Sequence, residues 1–190
     1  MIKVLTFDVF GTLLDYSDCP WIKQYAKEVS LVRKGAKPYR PLSEIFEEIG
    51  ADWTRLTVKP NVVECLNRLA NKFEIVSLSN ANSQLAHDIA GYFKLPWTAY
   101  LTTEEAECYK PDSRFYNDAL NELWGGGYIN LSGEACHVAA HPYDLIGAQR
   151  MGFKTAFIDW DNDPLTSPAN FDFVAKDILS LTYMLENYKR

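Results

Sequence analysis

No stretch of this chain approaches the ~20 consecutive apolar residues that a bilayer-spanning helix needs, so no membrane-embedded segment is expected. Basic charge is also scarce. Lys and Arg number 19 against 25 Asp and Glu, a net charge of −6, which argues against nucleic acid or an anionic membrane surface as the main partner. The four cysteines (Cys19, Cys65, Cys108, Cys136) lack any Cys-x-x-Cys spacing. Reduced thiols fit that scatter better than a disulfide framework or a zinc site. No signal-peptide layout precedes the first strand-like run, and a cytoplasmic home is expected. Repeats and low-complexity stretches are missing too. What remains is ordinary: 47% hydrophobic and 23% charged residues describe a folded globular chain. At 190 residues it has room for one full domain and a small appendage.

The most telling segment is Val4 to Leu14. Ile2, Val4, Leu5 and Phe7 form an apolar, partly β-branched run that reads as a buried parallel strand. It delivers Asp8 to the strand's carboxyl end, and Gly11 lets the chain turn at once. Open α/β sheets bind their ligands at such ends. The side chain two positions after Asp8 is Phe10, an aromatic ring where a second acid could have stood.

Residues 16–59 then break the strand–helix rhythm. Helical periodicity runs from Trp21 to Lys34 (Trp21, Tyr25, Val29, Val32) and again from Pro41 to Ile49. Two short helices placed after the first strand read as a cap over the strand ends, with Trp21, Tyr25 and Tyr39 as aromatic lining or packing residues. From Pro60 the rhythm returns. Helices are expected at 61–71, 83–92, 112–123, 143–151 and 176–188, and strands at 73–78, 99–102, 135–139, 155–158 and 171–174. This alternation predicts an α/β fold, a doubly wound parallel sheet with right-handed crossovers. The expected division is a core at 1–15 and 60–190 and a small helical cap at 16–59.

Three further segments carry chemistry. Ser77 to Asn80 ends a strand ahead of a helix start, where backbone N–H groups attract anions and Ser79 and Asn80 add donors. In Tyr109 to Tyr116, Lys110 precedes Pro111 and Asp112 at a helix start. In His137 to Asp144, an acid again falls in a first helical turn, and Gly152 closes that helix.

Together these segments resemble, in order, the four motifs of the haloacid dehalogenase (HAD) superfamily. Asp8-Val-Phe-Gly-Thr12 and Lys110-Pro111 through Tyr116 take the form of its 2-haloacid dehalogenases, with a shortened cap. The resemblance implies a Rossmann-like core. It also implies Asp8, Lys110, Asp144 and Thr12 as catalytic residues, and Phe10, Ser79, Asn80, Tyr116 and His141 as substrate-binding residues. Lys110 would ion-pair with Asp8 and keep it deprotonated. Ala139 and His141 depart from the Ser and Asn that many dehalogenases carry there.

The implied reaction turns an L-2-haloacid into a 2-hydroxy acid and halide through an aspartyl ester, with a small carboxylate as substrate, no metal or other cofactor, and a homodimer as the assembly. A halide leaves without a proton, so Phe10 loses nothing by not being an acid. A phosphatase is the alternative; its leaving alkoxide needs an acid, which Phe10 cannot be, and Mg²⁺ would have to be held by Asp8, the Phe10 carbonyl and Asp144. A third alternative is a catalytically idle binding protein of the same fold. It is motivated by the cap, where Lys23, Arg33 and Arg40 are the candidate cations and none takes the family's arginine position clearly.

Overall fold

The computed structural model describes residues 1–161 and 170–188. Its centre is a six-stranded sheet in which every pairing is parallel. The strands are β1 (Val4–Phe7), β4 (Glu74–Leu78), β5 (Ala99–Leu101), β6 (Ala135–Ala139), β7 (Lys154–Ile158) and β8 (Phe173–Ala175), in spatial order β5-β4-β1-β6-β7-β8. The chain builds leftward from β1 and then returns to its right. That reversal opens a crevice at the carboxyl ends of β1 and β6, where open α/β sheets hold ligands. Expected and observed strands agree to within two residues at each end.

Alternation along β1 sorts its side chains between two apolar layers. Leu5 and Phe7 join α3 (Val62–Ala70), α4 (Ser83–Phe93) and α7 (Ile178–Glu186) on one face. Val4 joins α5 (Ser113–Gly125) and part of α6 (Pro142–Arg150) on the other. Both faces of β1 and β6 are therefore covered, as parallel strands require. Helix starts are capped where the sequence supplies short acids: Asp112 accepts from the Arg114 N–H, and Asp177 from that of Ser180.

Residues 16–59 carry α1 (Ile22–Arg33), α2 (Leu42–Glu48) and a 3₁₀ turn at Trp53–Arg55. A feature not anticipated from sequence brackets this insert. Leu14–Asp15 (β2) pairs antiparallel with Thr57–Val58 (β3), so the chain leaves and re-enters through a two-stranded neck. Two residues per strand are too few to show a period of two. The insert shares the larger apolar layer through Trp21, Val29, Leu42, Ile45, Phe46 and Leu56.

Candidate active site

Asp8 follows β1 directly, and its N–H continues the sheet by donating to the Val138 carbonyl at 2.9 Å. The Thr12 hydroxyl accepts the Ala140 N–H at 2.9 Å, which commits its own proton to Asp8 Oδ2 at 2.6 Å. The other oxygen, Oδ1, receives Lys110 Nζ at 3.0 Å. The same ammonium donates to Asp144 Oδ2 at 2.7 Å. Lys110 is 1% exposed, so one buried cation sits between two buried carboxylates. Asn80 fixes the lysine's backbone, its Oδ1 accepting the Lys110 N–H at 3.0 Å. Asn80 Nδ2 is the part left for a ligand.

Asp144, at the first turn of α6, is tied from behind as well. Tyr116 Oη, on α5, donates to its Oδ1 at 2.6 Å. His137 Nε2 lies 3.1 Å from the same oxygen. Burial alone would push this carboxyl's pKa up, but the charge of Lys110 and the hydrogen bonds around the group outweigh it and hold it below 3.8. Lys110 shows the complementary balance. Burial disfavours its charge, and the two carboxylates more than restore it, keeping the ammonium above 10.5.

Above these groups lies a cavity of about 250 Å³ between the strand ends and α1. Ile22, Ala26, Val29 and Arg33 fall at i, i+4, i+7 and i+11 of α1 and form one wall, joined by Tyr25. Asp8, Phe10, Tyr16, Asn80, Lys110, His141, Tyr143 and Asp144 complete the lining. Phe10 is 5% exposed and packs edge-on against Phe46 and at a tilt against Tyr25. Burial, then the Asp8 charge, push the Tyr16 hydroxyl up to about 12, so it stays a neutral donor. The Arg33 guanidinium lies 5.0 Å over the Tyr143 ring. It has no ion pair among the described residues and is free to take an anion. Gly11, at φ +80°, makes the floor possible: a Cβ there would meet His141 Nε2 and Tyr16 Oη, each at 2.7 Å.

Comparison with known proteins follows the same lines. Curated relatives include (S)-2-haloacid dehalogenase 4A of Burkholderia cepacia, 30% identical over 115 residues, which are 59% of this chain and 48% of that protein. Another is (S)-2-haloacid dehalogenase 1 of Pseudomonas sp. (strain CBS-3), 31% identical over 112 residues, 57% and 47% of the two chains. The chain thus spans about half the length of the curated relatives it matches. Among solved structures, an L-2-haloacid dehalogenase with 27% identity superposes with a TM-score of 0.81, covering 98% of this chain and 99% of that one. The fold is that of the haloacid dehalogenases. An L-2-haloacid dehalogenase from Xanthobacter autotrophicus, solved with chloropropionic acid covalently bound, has a TM-score of 0.78 at 19% identity over the whole of both chains, a likeness of fold alone. No family model matches the chain.

Within this haloacid dehalogenase-like chain, Asp8, Lys110, Asp144, Phe10, Asn80 and His141 border one cavity. Three expected residues do not border it. Tyr116 was expected to point into the site; instead it is wholly buried behind Asp144, because its hydroxyl is spent on that carboxylate. Ser79 does not line the cavity, and its Oγ accepts the Ala81 N–H at 3.2 Å within its own loop. Thr12 is wholly buried, and its hydroxyl is spent between the Ala140 N–H and Asp8 Oδ2. His141 Nε2 donates to the Phe10 carbonyl at 3.1 Å and lies 3.9 Å from Asp8 Oδ2.

Of the candidate cations, Lys23 is solvent-exposed and Arg40 is paired with Glu48 and Glu28. Arg33 alone of the three borders the cavity. The sequence offered it only as one of three cap cations, and its place eleven residues after Ile22 on α1 is what puts it on the cavity wall. Trp21 packs into the apolar layer, and Tyr39 bonds Thr103 instead of facing Asp8.

Proposed function

We propose that the chain is an L-2-haloacid dehalogenase, acting on a short carboxylate through Asp8. One observation carries the reading: a buried nucleophilic carboxylate held by Lys110 at 3.0 Å, under a largely aromatic and aliphatic cavity with Arg33 at its border. Arg33 would grip the substrate carboxylate, with Asn80 as a further donor. An Asp8 oxygen attacks C2 in line, forming a C–O bond while the carbon–halogen bond breaks and the halide leaves with the bonding pair. Phe10 and the α1 wall keep water from the attacking oxygen. Water then adds at Asp8 Cγ, and the ester's acyl C–O bond breaks. Asp8 is regenerated, a 2-hydroxy acid of inverted configuration leaves, and one proton is released per turnover.

Lys110 and Tyr116 donate to two of the roughly four acceptor sites on the Asp144 carboxylate, and His137 Nε2 stands off-axis at 3.1 Å near a third. The remaining one can orient the hydrolytic water. The low basicity of this group suits orientation, with proton removal completed only as the water attacks.

A metal-dependent phosphatase, the alternative from sequence, fits the residues poorly. The Phe10 carbonyl accepts from His141, and the space between Asp8 and Asp144 holds an ammonium. Among the described residues, no group of three or more His, Cys, Asp or Glu is placed to hold a metal ion. The fold by itself does not decide, since a HAD phosphatase from Thermococcus onnurineus also superposes, with a TM-score of 0.71 at 17% identity.

Residues 16–59 act in this reading as the cap, and the four buried free thiols support a reducing, cytoplasmic setting. The implied homodimer remains part of the proposal. No helix among the described residues is long and apolar enough to cross a membrane. The test is chloride release from L-2-chloropropionate in the presence of a chelator. Release by the wild type and none by Asp8→Asn supports the reading. Background chloride with Mg²⁺-dependent turnover of p-nitrophenyl phosphate overturns it.

A further inference from the structure

The reaction above leaves one buried imidazole without a task. His137 lies mid-strand in β6, fully buried and in register with Thr6 of β1. The rings of Tyr116 and Phe153 stand edge-on to it, at 6.4 and 6.5 Å. An apolar side chain would satisfy a central parallel strand as well, and a buried ring nitrogen without a partner is destabilising. Its two nitrogens point to a role. Nδ1 is 2.9 Å from Thr6 Oγ1, and Nε2 is 3.1 Å from Asp144 Oδ1. The second contact is off-axis, and no partner among the described residues gives Nε2 good hydrogen-bond geometry.

The partners fix the tautomer. Asp144 is ionised and can only accept, so a bare nitrogen lone pair at 3.1 Å would be repelled. Nε2 therefore carries hydrogen, and the Thr6 hydroxyl meets Nδ1.

We infer that His137 is a positioning residue for Asp144. Anchored by Thr6, its Nε2–H braces the Oδ1 side of the carboxylate together with the Tyr116 hydroxyl. The Oδ2 edge then stays aimed at Lys110 and at the cavity. The inference rests on the dehalogenase reading, in which that edge orients the water of the second step. Asp8 has its own supports in Lys110 and Thr12 and no contact with His137. Loss of the brace should therefore slow ester hydrolysis and spare ester formation.

The experiment is steady-state kinetics with L-2-chloropropionate, with intact-protein mass spectrometry during turnover, on His137→Leu, His137→Gln and Thr6→Val. For His137→Leu, kcat is expected to fall about tenfold, the order that a misplaced group costs. The ratio kcat/KM, which reports ester formation, should stay within about twofold of wild type. The mass of the enzyme carrying the 1-carboxyethyl ester should accumulate. In His137→Gln the amide nitrogen can stand near the Nε2 position and should recover most of kcat. Thr6→Val, which frees the ring, should show the same split more weakly.

An unchanged kcat in His137→Leu overturns the inference. So does a parallel loss of kcat and kcat/KM without accumulated ester. If His137→Leu fails to fold, the other two decide: an inactive His137→Gln or a Thr6→Val with wild-type kinetics is contrary. A wild-type protein that releases no halide from any haloacid would instead sink the dehalogenase reading, and this inference with it.

Discussion

Replacing Lys110 by Met would leave Asp8 and Asp144, 5% and 1% exposed, facing each other without the cation that now bonds both. The side chain keeps its length and apolar stem, so packing changes little. The electrostatic loss is large. Removing one partner of a buried ion pair typically destabilises by about 3–5 kcal/mol, because the remaining charge stays buried without compensation. For a chain of this size that corresponds to a fall in Tm of about 6–20 °C.

The pH dependence gives a second handle. Asp144 is held below 3.8, chiefly by Lys110 against the opposing effect of burial. In the wild type its contribution to stability is therefore present above about pH 3.8 and is lost only as pH falls toward the lower folded value. Without Lys110 the carboxylates repel, and at least one takes up a proton more readily. The stability gap between wild type and Lys110→Met should thus be widest near pH 7 and narrow toward pH 4. Urea denaturation at both pH values measures it. The double substitution Lys110→Met with Asp144→Asn should recover part of the loss. A Lys110→Met protein within about 1 kcal/mol of wild type at pH 7 would refute the reasoning.

Two other perturbations read different parts of the site. Arg33→Met should raise KM for haloacids by about tenfold or more, since a charge-assisted carboxylate contact is worth roughly 1.5–3 kcal/mol. Stability should barely change, because Arg33 is exposed and has no ion pair among the described residues; unchanged KM would exclude it as the carboxylate clamp. Gly11→Ala should cost about 1–3 kcal/mol from its backbone conformation. It should also depress halide release by displacing His141 and Tyr16, whose polar atoms stand 2.7 Å from the new Cβ position; wild-type stability and activity would show that this close approach is not needed.

Where sequence reasoning succeeded, a local pattern carried the information. The run before Asp8 and the apolar spacing of 61–71 each have one physical reading, and β1 and α3 follow from them. Lys110 was legible because Pro111 and Asp112 fix a helix start beside it, and the structure puts its ammonium on Asp8. Failures came where function depends on which way a side chain turns across the fold. Tyr116 lies on the buried face of α5, and nothing local says that Asp144 rather than a substrate takes its hydroxyl. Ser79 has a backbone N–H two residues on that captures its oxygen. The apolar stripe of α1 was read through Trp21, Tyr25, Val29 and Val32; Tyr25 and Val29 line the cavity, but Ile22, Ala26 and Arg33 complete that wall in place of Trp21 and Val32. The α1 spacing gives a helix, but only the opposing Tyr143 and strand ends select its face. His137 sat unremarked inside a quoted motif, since its partners Thr6 and Asp144 meet only across the sheet.

The most direct measurement is a single turnover of L-2-chloropropionate in ¹⁸O-labelled water with enzyme in excess, followed by mass analysis of both product and protein. Attack by Asp8 should put unlabelled oxygen on the first lactate formed and leave the ¹⁸O in the peptide containing Asp8. Label appearing directly in that lactate, with none in the Asp8 peptide, would mean that water and not this carboxylate displaces the halide.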